Sequence, residues 1–157
     1  MTDLPRPAIL CVCLGNICRS PLAEAALRAE AARAALDLVV DSAGTGAWHV
    51  GDPPDARAQA VARRHGIDIS GTRARQVVPE DFRRFTHVLA LDRDNFRVLA
   101  RMAPADATAE LAMLMDAVPG REGTDVADPY YGEAAGFETT WADVRTAAEA
   151  LVARLAA

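Results

Sequence analysis

Cys13-Leu14-Gly15-Asn16-Ile17-Cys18-Arg19-Ser20-Pro21 is the stretch on which the reading of this chain turns. The apolar run before it, Ala8-Ile9-Leu10-Cys11-Val12, is short and bounded, and reads as a buried strand. Ser20-Pro21-Leu22-Ala23-Glu24 behind it reads as a helix start: Ser20 can cap, Pro21 suits the first helical position, and Glu24 favours the first turn. A strand passing through a tight loop into a helix aims the loop amides and the helix N-terminus at one spot, which makes an anion site. The loop also carries a thiol at Cys13 and a guanidinium at Arg19. Around an oxyanion, that pair supplies a nucleophile and a planar fork for two of its oxygens. Gly15 permits close approach or positive φ, and Asn16 tolerates the left-handed region and can tie the loop to itself. Ser20 can donate to the Cys13 sulfur; hydroxyl, helix dipole and Arg19 all favour the attacking thiolate. Leu14, Gly15, Asn16, Ile17, Cys18, Arg19 and Ser20 are thus the candidate phosphate-binding residues.

Working outward, 157 residues with 51% apolar and 25% charged content describe one ordinary domain, residues 1–157. The net charge of −5 argues against nucleic acid as partner. All 17 basic residues are arginine. No apolar run nears the ~20 residues of a membrane span, and Met1 to Pro7 lacks the build of a signal peptide, so a cytoplasmic protein without membrane contact is expected. The three cysteines fall between positions 11 and 18, which fits neither a secreted disulfide framework nor a zinc site. Cys11 and Cys13, two apart on a strand, are badly placed to pair. Cys13 and Cys18 differ, because curling of the loop brings its ends together. A reversible Cys13–Cys18 disulfide that protects an oxidised Cys13 is expected, the alternative being that Cys18 only fills apolar space.

Residues 21–35 are rich in Ala, Leu, Glu and Arg and predict a helix. Leu38-Val39-Val40 predicts a second strand, ending in Asp41-Ser42-Ala43-Gly44. Residues 44–54 hold three Gly and two Pro and form a loop carrying Trp48 and His49. Asp55–His65 predicts a helix closed by Gly66. Pro79–Phe82 reads as a helical turn and Thr86–Leu91 as a strand; Asp92 then caps a helix over 93–102, with a catalytic role the weaker reading. Leu111–Met115 is the fourth strand. Phe137, Trp141, Val144, Ala148, Leu151 and Leu155 step by three and four along a terminal helix. Alternating strands and helices predict an α/β three-layer domain, with a flavodoxin-like parallel sheet in the order 2-1-3-4 and helices on both faces.

Loops over the carboxyl ends of such strands bind ligands. Trp48 in one of them is either a wall for an aromatic substrate or a core residue, and its composition alone leaves both open. Asp128, beside Pro129 in the loop after the fourth strand, is the candidate proton donor to a leaving oxygen; elsewhere Asp-Pro would make only a turn. Tyr130 and Tyr131, the two tyrosines of the chain, follow it. Aromatic walls around a deep anion site suit a phenyl ring held end-on, and the depth excludes phosphoserine. His49, His65 and His87 read as structural.

Four stretches together resemble the low-molecular-weight protein tyrosine phosphatases over nearly the whole chain. They are Val12–Glu24, Ser42–Gly51, His65-Gly66-Ile67 with Arg73-Ala74-Arg75-Gln76, and Asp128-Pro129-Tyr130-Tyr131-Gly132. The resemblance implies Cys13 as nucleophile, Arg19 as phosphate clamp and Asp128 as acid and then base. It also implies Ile17, Trp48, Tyr130 and Tyr131 as substrate walls, with no cofactor and no metal. The substrate it implies is a phosphotyrosine protein, the product inorganic phosphate, and the working form a monomer. One departure stands out: where the family commonly has a His supporting Asn16 and Ser20, this chain has Thr72, whose hydroxyl could replace part of that support. Three alternatives remain. Arsenate reductases of similar fold relay electrons through a further Cys, and none follows Cys18. Phosphoarginine phosphatases are expected to have Thr where Ile17 stands. A non-catalytic phosphate- or FMN-binding module would need no Cys–Arg pair.

Overall fold

A computed structural model describes residues 6–157. Residues 1–5, which carry most of the segment read as lacking a signal peptide, lie outside the described residues. The apolar run before the phosphate loop forms β1, Ala8–Cys13. Its odd and even residues serve opposite faces: Ile9, Cys11 and Cys13 join one buried cluster, Leu10 and Val12 the other. That explains the unbroken hydrophobicity of a strand covered on both sides. β2 is Val39–Gly44, β3 His87–Ala90 and β4 Glu110–Met113. All pair in parallel, in the order β2-β1-β3-β4 expected from the sequence.

Helices α1, Arg19–Arg33, α2, Ala56–Arg64, and α5, Ala135–Ala156, cover one face. Helices α3, Asp81–Arg84, and α4, Arg93–Met102, cover the other. Phe137, Trp141, Val144, Ala148 and Leu151 bury the predicted stripe of α5, while Leu155 near its end is only partly covered. Asp55 caps α2 through the Arg57 amide, 2.8 Å, and Gly66 leaves that helix with φ +81°. Among the described residues no helix is long and apolar enough to cross a membrane.

Three local expectations need correction. α1 begins at Arg19, with Cys18 in the capping position and no side-chain cap, so Ser20 is not the cap and Glu24 lies beyond the first turn. Pro21 is accommodated because the first-turn amides have no intrahelical acceptor anyway. β2 runs to Gly44 rather than stopping near Val40: its weak strand formers Asp41 and Ser42 pair in register with Leu10 and Cys11. β4 stops at Met113, because the Asp116 carboxylate accepts from the Met113 amide and winds Leu114–Ala117 into a 3₁₀ turn.

Candidate active site

β1 delivers Cys13 to the carboxyl edge of the sheet, and the chain reverses over Leu14–Cys18 into α1. Asn16 makes the turn with φ +58°, the left-handed conformation an Asn accepts at low cost. Its buried side chain binds both ways: Oδ1 accepts from the Arg75 amide, 3.0 Å, and Nδ2 donates to Ser20 Oγ, 2.8 Å. With its lone pair so engaged, the Ser20 hydroxyl proton is free for the Cys13 sulfur at 3.1 Å, nearer than its other neighbour, the Ala43 carbonyl at 3.5 Å. The Asn16 amide adds a second donor to Sγ at 3.3 Å. Among the described residues, the amides of Leu14, Gly15, Ile17 and Cys18 donate to no protein acceptor. A loop with several unpaired N–H groups beside a helix N-terminus and a thiol holds an oxyanion.

The loop is backed by β2 and the 74–77 segment. Gly44 sits so close that a Cβ there would lie 2.8 Å from the Leu14 carbonyl oxygen and 3.1 Å from the Gly15 carbonyl carbon. The Arg75 carbonyl accepts from the Gly44 amide, 2.8 Å, and the Arg75 guanidinium pairs with both oxygens of fully buried Asp81 and with Asp41. Arg75 therefore fixes the segment whose amide orients Asn16. The Thr72 hydroxyl takes no part in this network; among the described residues the Arg75 backbone supplies the support anticipated there.

Arg19 is 3% exposed and lies between two carboxylates. Nη1 donates to Asp92 Oδ2 at 2.7 Å and to the Val126 carbonyl at 3.0 Å, while Nη2 stands 3.6 Å from Asp128 Oδ2. Burial alone would weaken its hold on the proton, but the Cys13 sulfur, Asp92 and Asp128 together raise its pKa above the ordinary value. Nε and Nη2 donate to no protein acceptor among the described residues, which leaves one edge of the fork for two oxygens of an anion. Burial also pushes the Cys18 thiol up to about 12, with Asp55 adding to it, and raises Cys11 further. Both are therefore overwhelmingly in the thiol form near neutral pH, while the Cys13 sulfur is met by the Ser20 hydroxyl and the Asn16 amide.

Asp128 accepts from the Tyr130 amide, 3.0 Å, and its carboxylate borders the cleft. The loop after it is tethered by Arg57, whose guanidinium donates to the carbonyls of Tyr130, 2.9 Å, and Gly132, 3.2 Å, and is itself gripped by Asp55. Tyr130 and Tyr131 meet edge to face at 4.9 Å. The resulting cleft is about 400 Å³ and is lined by Cys13, Leu14, Gly15, Ile17, Cys18, Arg19, Trp48, His49, Asp128, Tyr130 and Tyr131. All the sequence-selected site residues except Asn16 and Ser20 border it, and those two stand behind the loop. Trp48 is 73% exposed, so it is not a core residue.

Two residues that the sequence reading did not select belong to the site. Asp92 caps α4 through the Asn95 amide as expected, but its second oxygen holds Arg19. His49, read as structural, lines the cleft: its ring lies so near Gly15 that a Cβ there would be 3.1 Å from Cδ2. Its Nδ1 is 3.3 Å from Asp52. The adjacency of His49 to Trp48 was the available signal for the second; no sequence pattern marks the first.

A family model described as low molecular weight phosphotyrosine protein phosphatase matches residues 8–157. The low molecular weight protein-tyrosine-phosphatase YfkJ of Bacillus subtilis is 41% identical over 150 residues, which are 94% of this chain and 95% of that protein. Its crystal structure superposes with a TM-score of 0.89, at 40% identity and with 98% and 97% of the two chains covered. A solved structure named as a Drosophila arginine phosphatase is similar at a TM-score of 0.88 and 31% identity, covering 94% of this chain and 96% of its own.

Proposed function

The chain belongs to the low molecular weight protein-tyrosine-phosphatase family and is a phosphomonoesterase acting on phosphoproteins with release of phosphate; from that premise we propose how its own residues divide the work. The phosphate dianion enters the loop, met by the unpaired amides of Leu14, Gly15, Ile17 and Cys18 and by the free edge of Arg19. The Cys13 thiolate attacks phosphorus from below. The S–P bond forms as the P–O bond to the tyrosyl oxygen breaks, and Asp128 gives that oxygen its proton. A water then attacks the cysteinyl-phosphate while Asp128 takes its proton, returning thiolate and inorganic phosphate. Ile17, Trp48, Tyr130 and Tyr131 hold the phenyl ring.

The observation that carries this reading is the pair of donors on one sulfur, Ser20 Oγ at 3.1 Å and the Asn16 amide at 3.3 Å, in the cleft that Asp128 borders. The test uses two substrates. Asp128→Ala should lower kcat by ~10²–10⁴, with a greater loss for tyrosyl phosphate than for p-nitrophenyl phosphate, whose leaving group needs less protonation. Cys13→Ser should abolish turnover yet still bind phosphate. Equal losses with both leaving groups, or turnover by Cys13→Ser, would overturn the assignment.

The same reading covers the remaining expectations. Residues 1–157 act as one domain, in the cytoplasm and as a monomer. The net charge of −5 supports a partner other than nucleic acid. Cys18 acts as the resolving thiol for an oxidised Cys13.

A further inference from the structure

Large apolar side chains are spread unevenly over this surface. Among the described residues five are exposed: Leu14 at 46%, Trp48 at 73%, Val50 at 56%, Val78 at 45% and Tyr131 at 94%. Leu14, Trp48 and Tyr131 border the cleft, and Val50 lies in the tight turn that carries Trp48, its amide donating to the Ala47 carbonyl. Single exposed apolar residues mean little, but a cluster around an opening marks a binding surface. The charges are as uneven. Of 17 arginines only Arg19 lines the cleft, and it is 3% exposed.

We propose that Leu14, Trp48, Val50 and Tyr131 form an apolar collar that binds bulky apolar side chains flanking the phosphotyrosine of the phosphoprotein substrate. The inference rests on the tyrosine-phosphatase reading of the cleft and names its substrate class. Once the phenyl ring is inserted, its flanking residues lie against the rim, which offers them hydrocarbon; the guanidinium beside it, Arg57, is already engaged by Asp55 and by the carbonyls of Tyr130 and Gly132. The occupant is a segment of the substrate.

The experiment compares three phosphotyrosine peptides that differ only in Leu, Ala or Glu on both sides of the phosphotyrosine. The expected kcat/KM order is Leu, then Ala, then Glu, with about tenfold between the first two, the return on half-burying one Leu side chain. Val50→Glu should shrink the Leu-to-Glu ratio about tenfold, whatever it does to p-nitrophenyl phosphate turnover, and Val50→Ser should shrink it less. Equal rates on the three peptides, a preference for Glu, or an unchanged ratio in Val50→Glu would overturn the collar. Failure of the phosphatase reading would look different, with no hydrolysis of any peptide by the unaltered enzyme. Light scattering at assay concentration adds a further arm. A dimer that Val50→Glu dissociates with no change in peptide ratio would reassign the surface to a second copy.

Discussion

Asp92 holds two things at once, and a pair of substitutions separates them. One oxygen accepts from the Asn95 amide at 2.7 Å and caps α4; the other accepts from Arg19 Nη1 at 2.7 Å. Asp92→Ala removes both. The cap contributes about 1 kcal/mol, and the charge-assisted bond to a buried guanidinium roughly 1.5–3 kcal/mol, so the loss of stability should be about 2.5–4 kcal/mol. Asp92→Asn keeps one oxygen, which stays on the Asn95 amide as the cap, but turns an amide NH2 toward Arg19 Nη1, so it discards the bond and charge to Arg19 and should cost about 1.5–3 kcal/mol. Activity should divide differently. Arg19 would keep the Val126 carbonyl at 3.0 Å but lose the anchor that sets the plane of its fork. Misplacement by about 1 Å is worth roughly 10²-fold in rate. Urea unfolding gives the stabilities, and p-nitrophenyl phosphate turnover with the inhibition constant of inorganic phosphate gives the site. If Asp92→Asn kept phosphate affinity and kcat/KM while losing stability, Asp92 would be scaffolding and the Val126 carbonyl would suffice to aim Arg19. If Asp92→Asn were as unstable as Asp92→Ala, the share given to the cap would be wrong.

Gly44→Ala should cost ~10²-fold in kcat/KM through the phosphate loop, because the new methyl meets backbone at 2.8 Å and only the loop can move; a variant of unimpaired kcat/KM would refute the close fit. For Glu24, burial raises its carboxyl above the ordinary value despite the Ser42 hydroxyl at 2.6 Å and its pairing with Arg28. A raised folded pKa means the folded state holds the proton more tightly. Stability should therefore fall as pH rises from about 4.5, the unfolded carboxyl value, through the folded one, and Glu24→Gln should flatten that slope in unfolding curves. For the thiols, Cys18→Ser should leave peroxide-inactivated enzyme beyond recovery by dithiothreitol, while the unaltered chain recovers. With Cys18 pushed up to about 12, disulfide closure should speed up about tenfold per pH unit across neutrality. Equal recovery of the two proteins would make Cys18 a packing residue.

The sheet order was legible because each strand is a bounded apolar run and each crossover a helix with its own start and stop signals. That Cys13, Arg19 and Asp128 would border one cleft was legible because loops at the carboxyl edge of a parallel sheet gather residues that are local in sequence. What escaped was set by distant partners. Ser20 carries the same hydroxyl whether it caps a helix or faces a sulfur, and only Asn16, fixed by the backbone of Arg75, decides between the two. Asp92 has the signature of a cap, and its second oxygen meets a residue 73 positions earlier. The end of β2 was hidden because Asp41 and Ser42 are poor strand formers whose polar groups are satisfied from outside, by Arg75 and Glu24. Propensity says nothing of such partners.

The Arg57 tether bears on how this enzyme recognises what it cuts. Because the carbonyls of Tyr130 and Gly132 are tied to α2 by a guanidinium that Asp55 in turn holds, the loop that follows Asp128 is pinned to α2 in the folded chain. A site pinned in this way selects as a gauge does: on the mechanism proposed above, a phosphoryl group whose stem is too short to reach from loop to rim fails by dimension. On the two proposals above, control of such a site falls to the chemistry of its sulfur and to the company its target tyrosine keeps.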